Sequence, residues 1–250
     1  MHRAPSARPV PRPAGDDAAG VARALVALGV EPDFVRDLVR AGMIYRFGID
    51  EMLTKIQILR DEFHYIHRYS PIEHVSSRVK SPEAILDKAR RRGIPLELDA
   101  IRAEIQDIAG IRVTCSFISD TYWIRDMIAR QSDVTVLKVK DYIATPKPNG
   151  YQSLHLIAQV PVFLSDRTER VPVEIQIRTI AMDFWASLEH KIYYKYDGAV
   201  PERMLGELRD AAAVASTLDV TMERLHNEMR AIRDDGAGAA PSAGDVAGTH

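Results

Sequence analysis

The chain has 250 residues, with 33 Lys+Arg against 35 Asp+Glu (formal net charge −2), 46% hydrophobic residues and 27% charged residues. That length holds one large domain or two small ones, and the composition is that of a soluble globular protein without the net charge of a basic coat for nucleic acid. The single cysteine, Cys115, excludes a disulfide framework and a multi-cysteine metal site, and the chain has neither the ~18-residue apolar run of a membrane span nor the apolar core of a secretory signal. A cytoplasmic, reducing location is expected, and any cationic site has to be local.

Residues 1–20 are rich in Pro, Ala and Arg and have no period; residues 234–250 are equally aperiodic. Both read as disordered tails around a single domain over 21–233, its core at about 50–200. Between Ala22 and Phe47 the pattern gives one or two short helices, broken at Glu31-Pro32 and at Gly42. From Asp50 to Arg68, Met52, Ile56, Leu59, Phe63 and Ile66 trace one stripe of a longer helix. His64, His67 and His74 come without an acidic partner motif, and read as solvated or core-edge side chains rather than metal ligands.

In the segment VSSRVKSPEAILDKARRRG, Ser81 is an N-cap, Pro82 suits the first helical position and Gly93 stops the helix. Arg78 and Lys80 point to one side of the extended approach, while Lys88 and Arg91 share a helix face. Four cations thus gather about a helix N-terminus, whose free amides already favour anions. A solvated basic face would look similar, yet in a slightly acidic chain the natural guest of such a cluster is polyphosphate.

A helix through Ile101 to Gln106 leads to Asp107 and then to an apolar strand, Ile111 to Phe117, in which Cys115 reads as a buried thiol. Asp107 at the entry and Arg112 inside are costly unless partners or a metal neutralise them. Ser119 or Asp120 caps a helix to about Arg130, and Val134 to Lys140 is the next strand. The loop that follows, ATPKPNGYQ from Ala144 to Gln152, is stiffened by two prolines and turned by Asn149-Gly150. With Lys147, Asn149 and the face of Tyr151, it suits a flat, charged ligand such as a nucleotide, though a Pro-rich surface hairpin has the same composition.

In VPVEIQIR, Val171, Val173, Ile175 and Ile177 point one way and Glu174, Gln176 and Arg178 the other. Either an exposed edge strand or a more covered one fits that alternation. Thr179 to Tyr196 is helical and ends at Asp197-Gly198. A last helix, Glu202 to Arg233, carries the stripe Leu205, Leu208, Ala212, Ala215, Leu218, Met222, Leu225, Met229 and Ile232, to pack on its own domain or on another subunit.

Four separated segments, SSRVKSPEAILDKARRR, DIAGIRVTCSF, KDYIATPKPNGYQSLHL and VEIQIRTIAMDFWASLEHKI, together resemble the RelA/SpoT synthetase family over about residues 50–200. The absence of further domains is similar to its small alarmone synthetases. The resemblance implies an α/β (α+β) fold, a nucleotidyltransferase-like mixed sheet of about five strands flanked by helices, with helical N- and C-terminal extensions. It also implies an ATP:GTP 3′-diphosphotransferase that uses Mg²⁺, gives (p)ppGpp and AMP, and has no hydrolase activity. Arg78 and Arg112 would hold adenine, and Lys80, Lys88 and Arg91 the ATP phosphates. Asp107 and Glu174 would be the catalytic, metal-binding carboxylates, Glu174 also taking the proton of the 3′-hydroxyl. Tyr151 would stack on guanine, with Lys147, Asn149, Gln152, His155 and Gln176 about the GTP or GDP. A homotetramer is implied, with product (p)ppGpp as a candidate effector and no membrane or sequence-specific nucleic acid as partner. Two other readings exist: a nucleotidyltransferase, against which the missing Gly-Ser and Asp-x-Asp pair weigh, and a weak or regulatory member that binds nucleotide or RNA, against which the intact site positions weigh.

Overall fold

A computed structural model describes residues 30–67, 69–194 and 201–238. The N-terminal tail, the stretch 22–29, the helix end at Asp197-Gly198 and residues 239–250 of the C-terminal tail lie outside them; the last helix runs to Gly238, five residues into the stretch expected to be a disordered tail. The sequence pattern meets the fold in a five-stranded mixed sheet of order β1-β2-β5-β4-β3. Its strands are β1 (Ile72–Val79), β2 (Ala109–Cys115), β3 (Thr135–Asp141), β4 (Leu154–Phe163) and β5 (Thr168–Thr179). Only the β2–β5 pair is parallel; the other three neighbours run antiparallel. The β-branched alternation of β5 suits a central strand, so of the two sequence readings the covered one holds.

The apolar side of that alternation forms the core. Val171, Val173, Ile175 and Ile177 are buried with Ile111, Val113, Leu154 and Leu156 under α1 (Pro32–His67) and α4 (Ile118–Ala129). The two helices touch through Phe63 and Trp123, edge to face at 4.7 Å. Helices α2 (Pro82–Arg92) and α3 (Leu98–Glu104) join β1 to β2, while α5 (Ile180–Tyr194) and α6 (Glu202–Gly238) follow β5. Ser81 caps α2 through its side chain, and Gly93 ends it in the left-handed region at φ 64°, as the sequence indicates. Cys115 is buried in the core, and burial raises its thiol pKa.

Several boundaries differ from the sequence reading. No break occurs at Gly42: α1 is one helix from Pro32, because Val35, Leu38, Ala41, Ile44, Ile49, Met52 and Ile56 all bury against the sheet, and that packing outweighs the weak helix propensity of glycine. The stripe leaves the core at its end, where Ile66 is exposed. The strand expected at Ile111 to Phe117 sits two residues earlier, since the Asp120 carboxylate captures the Phe117 N–H at 3.2 Å and starts α4. The stripe of α6 divides: Leu208, Ala212 and Ala215 pack with Trp185 and Tyr151, but Leu218, Met222, Leu225, Met229 and Ile232 face outward. Beyond Ala215 the inward residues are polar, with Asp219 bonded to Thr179 at 2.6 Å and Glu223 accepting from the Ser119 N–H at 3.1 Å. Among the described residues no helix is long and apolar enough to cross a membrane.

Two glycines of α1 should respond oppositely to alanine. A Cβ on Gly48 would stand 2.5 Å from Val171 Cγ1, whereas one on Gly42 meets nothing within 4 Å. In urea unfolding Gly42→Ala should stabilise by about 0.5–1 kcal/mol through helix propensity. Gly48→Ala should destabilise by about 1–3 kcal/mol through overpacking against β5. Equal shifts of one sign would contradict this helix–sheet contact.

Candidate active site

Register carries the site across the sheet. Arg78 on β1 pairs with Gly110 on β2, which pairs with Glu174 on β5; one step on, Ser76, Arg112, Gln176, His155 and Lys140 form a second row through all five strands. Because side chains alternate across a strand, each row presents its polar groups to the face opposite α1. A cavity of about 140 Å³ opens there, lined by Ser76, Arg78, Asp107, Arg112, Glu174 and Gln176 among others. Both expected adenine-side cations, Arg78 and Arg112, and both expected carboxylates therefore meet in one cleft.

Asp107 stands just before β2, at the mouth of the parallel seam. One of its oxygens, Oδ2, accepts from Lys80 Nζ and from Lys88 Nζ, each at 2.6 Å. Burial alone would raise its pKa, but the two lysines outweigh it and hold the carboxyl down at about 2. Burial is also the largest influence on Lys80 and lowers its pKa, with the nearby Lys88 charge adding to that and Asp107 opposing it. Two ammonium groups on one carboxylate oxygen leave a surplus positive charge, which suits a polyanion. The other oxygen, Oδ1, is buried without a hydrogen-bond partner. Lys80 and Lys88 reach the cleft only through Asp107 and are not among its lining residues, and Arg91 is exposed one turn beyond Lys88, also outside that lining.

Glu174 is gripped from both sides, Oε1 by His155 Nδ1 at 3.0 Å and Oε2 by Gln176 Nε2 at 3.0 Å. Burial pushes its pKa up, yet these partners more than compensate and it is net lowered, so the group is a carboxylate at neutral pH. The bonds continue into a closed ring. Gln176 Oε1 accepts from Arg178 Nη2 at 2.9 Å, Arg178 Nη2 donates to the Tyr151 hydroxyl at 2.6 Å, and that hydroxyl lies 2.8 Å from His155 Nε2. With the tyrosine oxygen accepting from Arg178, its own proton can go to Nε2, which leaves Nδ1–H to donate to Glu174.

The loop 142–153 brings Tyr151 to this ring. Gly150 adopts φ 88°, and a Cβ there would collide with Ala212 of α6, so turn and helix contact both require glycine. Lys147 Nζ lies 4.7 Å from the Tyr142 ring centroid and 4.6 Å from that of Tyr151, a cation between two aromatic faces. Asn149 and Gln152 are turned elsewhere. Asn149 accepts from the Tyr151 N–H at 3.2 Å and donates to Glu189 at 3.1 Å, and Gln152 donates to Ser216 at 3.4 Å. These two brace the loop against α5 and α6.

Two residues of the site escape the sequence reading. Arg178 shares the polar side of β5, a signal the alternation did give, but its side chain is only 5% exposed and also bonds Ser153. Asp183, in the first turn of α5, forms ion pairs with both Arg112 and Arg178; no local pattern marks it.

The chain is similar to known proteins over most of its length. Residues 77–199 match the model described as the region found in RelA / SpoT proteins. The GTP pyrophosphokinase YwaC of Bacillus subtilis is 50% identical over 187 residues, covering 75% of this chain and 89% of that protein. The crystal structure of small alarmone synthetase 2 from Bacillus subtilis superposes with a TM-score of 0.69 at 49% identity, over 76% of this chain and 97% of that one. That of small alarmone synthetase 1 from the same organism, bound to its product pppGpp, gives 0.69 at 41% identity over 74% and 93%. The chain belongs to the RelA/SpoT family, among the small alarmone synthetases.

Proposed function

We propose that the protein is a GTP diphosphokinase that moves the β,γ-pyrophosphoryl group of ATP to the 3′-hydroxyl of GTP or GDP, giving AMP and pppGpp or ppGpp, without hydrolase activity. One observation carries this reading. The carboxylates Asp107 and Glu174 line a single cleft, with a lysine-rich anion site at one end and, joined to Glu174 through His155, an aromatic platform at the other. On the lysine side, Arg78 and Arg112 would sandwich adenine with their guanidinium planes, and Lys80, Lys88 and Arg91 would take the phosphates. On the other side, Tyr151 would stack on guanine, with Lys147, His155 and Gln176 beside it and Asn149 and Gln152 supporting the loop.

The chemistry is positioning and charge neutralisation. Glu174, held as a carboxylate, accepts the proton of the 3′-hydroxyl. The freed oxygen attacks the β-phosphorus of ATP, the bond from that phosphorus to the α,β-bridging oxygen breaks, and AMP leaves with the electron pair. The site also fits a divalent cation. Asp107 Oδ1 is buried and unpartnered, and Glu174 lines the same cleft. Among the described residues no cluster of three or more potential ligands forms, but Mg²⁺ bound with nucleotide phosphates needs only one or two carboxylates. When bound, it would neutralise phosphate charge. We place this enzyme in the cytoplasm, as one synthetase domain over residues 21–233.

The outward face of α6 supports self-association. Leu218, Met222, Leu225, Met229 and Ile232 are each more than 40% exposed, on a helix whose inward face is already satisfied by polar contacts. We read the assembly as a homotetramer with (p)ppGpp as a candidate effector.

Protein incubated with ATP, GTP and Mg²⁺ should yield AMP and pppGpp by nucleotide chromatography, and nothing when the metal is chelated. Glu174→Gln should lower the rate on the order of 10³-fold or more while the fold stays intact, because the amide keeps the shape and loses the proton acceptor and one metal charge. More than about a tenth of the wild-type rate would make Glu174 a structural strand residue. Light scattering should report a multimer at micromolar concentration, reduced in mass by Leu218→Glu with Leu225→Glu; a monomeric wild-type chain contradicts the assembly.

A further inference from the structure

We propose that Asp183 couples the two nucleotide sites, as a positioning residue that ties the cleft cation Arg112 to the buried cation Arg178. This rests on the two-nucleotide reading above and adds a communication route to it. A single oxygen, Asp183 Oδ1, lies 3.1 Å from Arg112 Nη1 and 3.2 Å from Arg178 Nη1. On one side, Arg112 lines the cleft with Arg78, Asp107 and Glu174. On the other, Arg178 holds the Tyr151 hydroxyl at 2.6 Å and Gln176 at 2.9 Å. The carboxylate is thus the common partner of one guanidinium from each side.

The three side chains differ in freedom. That of Arg178 is 5% exposed, that of Asp183 25% and that of Arg112 38%. Arg178 is the more constrained cation, with four acceptors, Ser153, Asp183, Tyr151 and Gln176, and Arg112 is the more exposed arm. The two like charges repel, and Asp183 is what keeps Arg112 beside Arg178. It grips Arg112 by an edge nitrogen, which leaves the guanidinium plane for a base. A nucleotide that stacks on Arg112 orders that arm, and with it the shared carboxylate, the Arg178 clamp and the Tyr151 ring. The second nucleotide then meets a site already ordered, so the coupling is positive.

The test is calorimetric titration of the whole protein with a non-hydrolysable ATP analogue and Mg²⁺, with and without saturating GTP. In the wild type GTP should tighten the analogue by roughly 5-fold or more, within the ordinary range of coupling between sites. In Asp183→Asn, which keeps the shape and loses the charge, the ratio should fall to about one; Asp183→Glu, which keeps the charge, should recover part of it. A merely structural role would weaken both nucleotides and leave their ratio unchanged, which would overturn the proposal. So would a wild-type ratio of one with both nucleotides bound, or full coupling in Asp183→Asn. A wild-type protein that bound neither nucleotide would instead sink the functional reading and this inference with it. Thermal unfolding of each variant confirms that the molecules compared are folded.

Discussion

The parallel pairing of β2 with β5 is the constraint from which the cleft follows, since it sets residues far apart in sequence side by side on one face. Gly110 lies against Glu174 and Arg112 against Gln176, and Asp107 enters just before that seam. A slip of one residue would send Glu174 and Gln176 into the core and Ile175 into the cleft. The apolar half of β5 forbids the slip, because Val171, Val173, Ile175 and Ile177 are buried at 2% exposure or less. Hydrophobic burial on one side of the strand therefore fixes the chemistry on the other. Gly48 belongs to the same constraint: it lets α1 approach Val171 closely enough to seal that side.

Charge is distributed in the cleft so that an anion is favoured there. Asp107 answers Lys80 and Lys88 together, while Asp183 answers Arg112 and Arg178. Each carboxylate serves two cations, and partial burial makes the surplus positive charge costly until something negative arrives. On the proposed function, polyphosphate would meet that need on the lysine side. Glu174 is treated differently, with donors on both oxygens, which keeps it ionised and aimed. Hydrogen bonds thus set the carboxylates in distinct environments.

What the sequence discloses is what depends on neighbours in sequence. The N-cap at Ser81, the stop at Gly93, the alternation of β5 and the turn at Asn149-Gly150 all follow from local chemistry and are found in place. The expected break at Gly42 fails because helix continuity there is decided by burial against the sheet. Gly48 carries no local sign of its need, which lies in Val171 across the core. On α6 the apolar stripe turns away from its own domain beyond Ala215, where polar Asp219, Glu223 and His226 take the inward face; His226 stacks on Phe117 at 4.1 Å. Asp183 could not be read at all, because its partners sit on two strands that only the fold brings together. Asn149 and Gln152 were legible as loop residues, but their bonds to Glu189 and Ser216 depend on helices that follow much later.

On the proposed function, the seam separates two nucleotides, donor on the lysine side and acceptor on the Tyr151 side. Paired calorimetric titrations of Tyr151→Ala and Lys80→Ala, each with GTP and with a non-hydrolysable ATP analogue, address that separation most directly. Base–aromatic stacking is worth ~1–3 kcal/mol, so Tyr151→Ala should weaken GTP by roughly 5- to 100-fold and leave the ATP analogue within the change that coupling transmits. Lys80→Ala should do the reverse, removing a phosphate-directed charge. Weakening of the ATP analogue alone by Tyr151→Ala, or equal weakening of both, would contradict the separation and make the loop a cover over a single shared site.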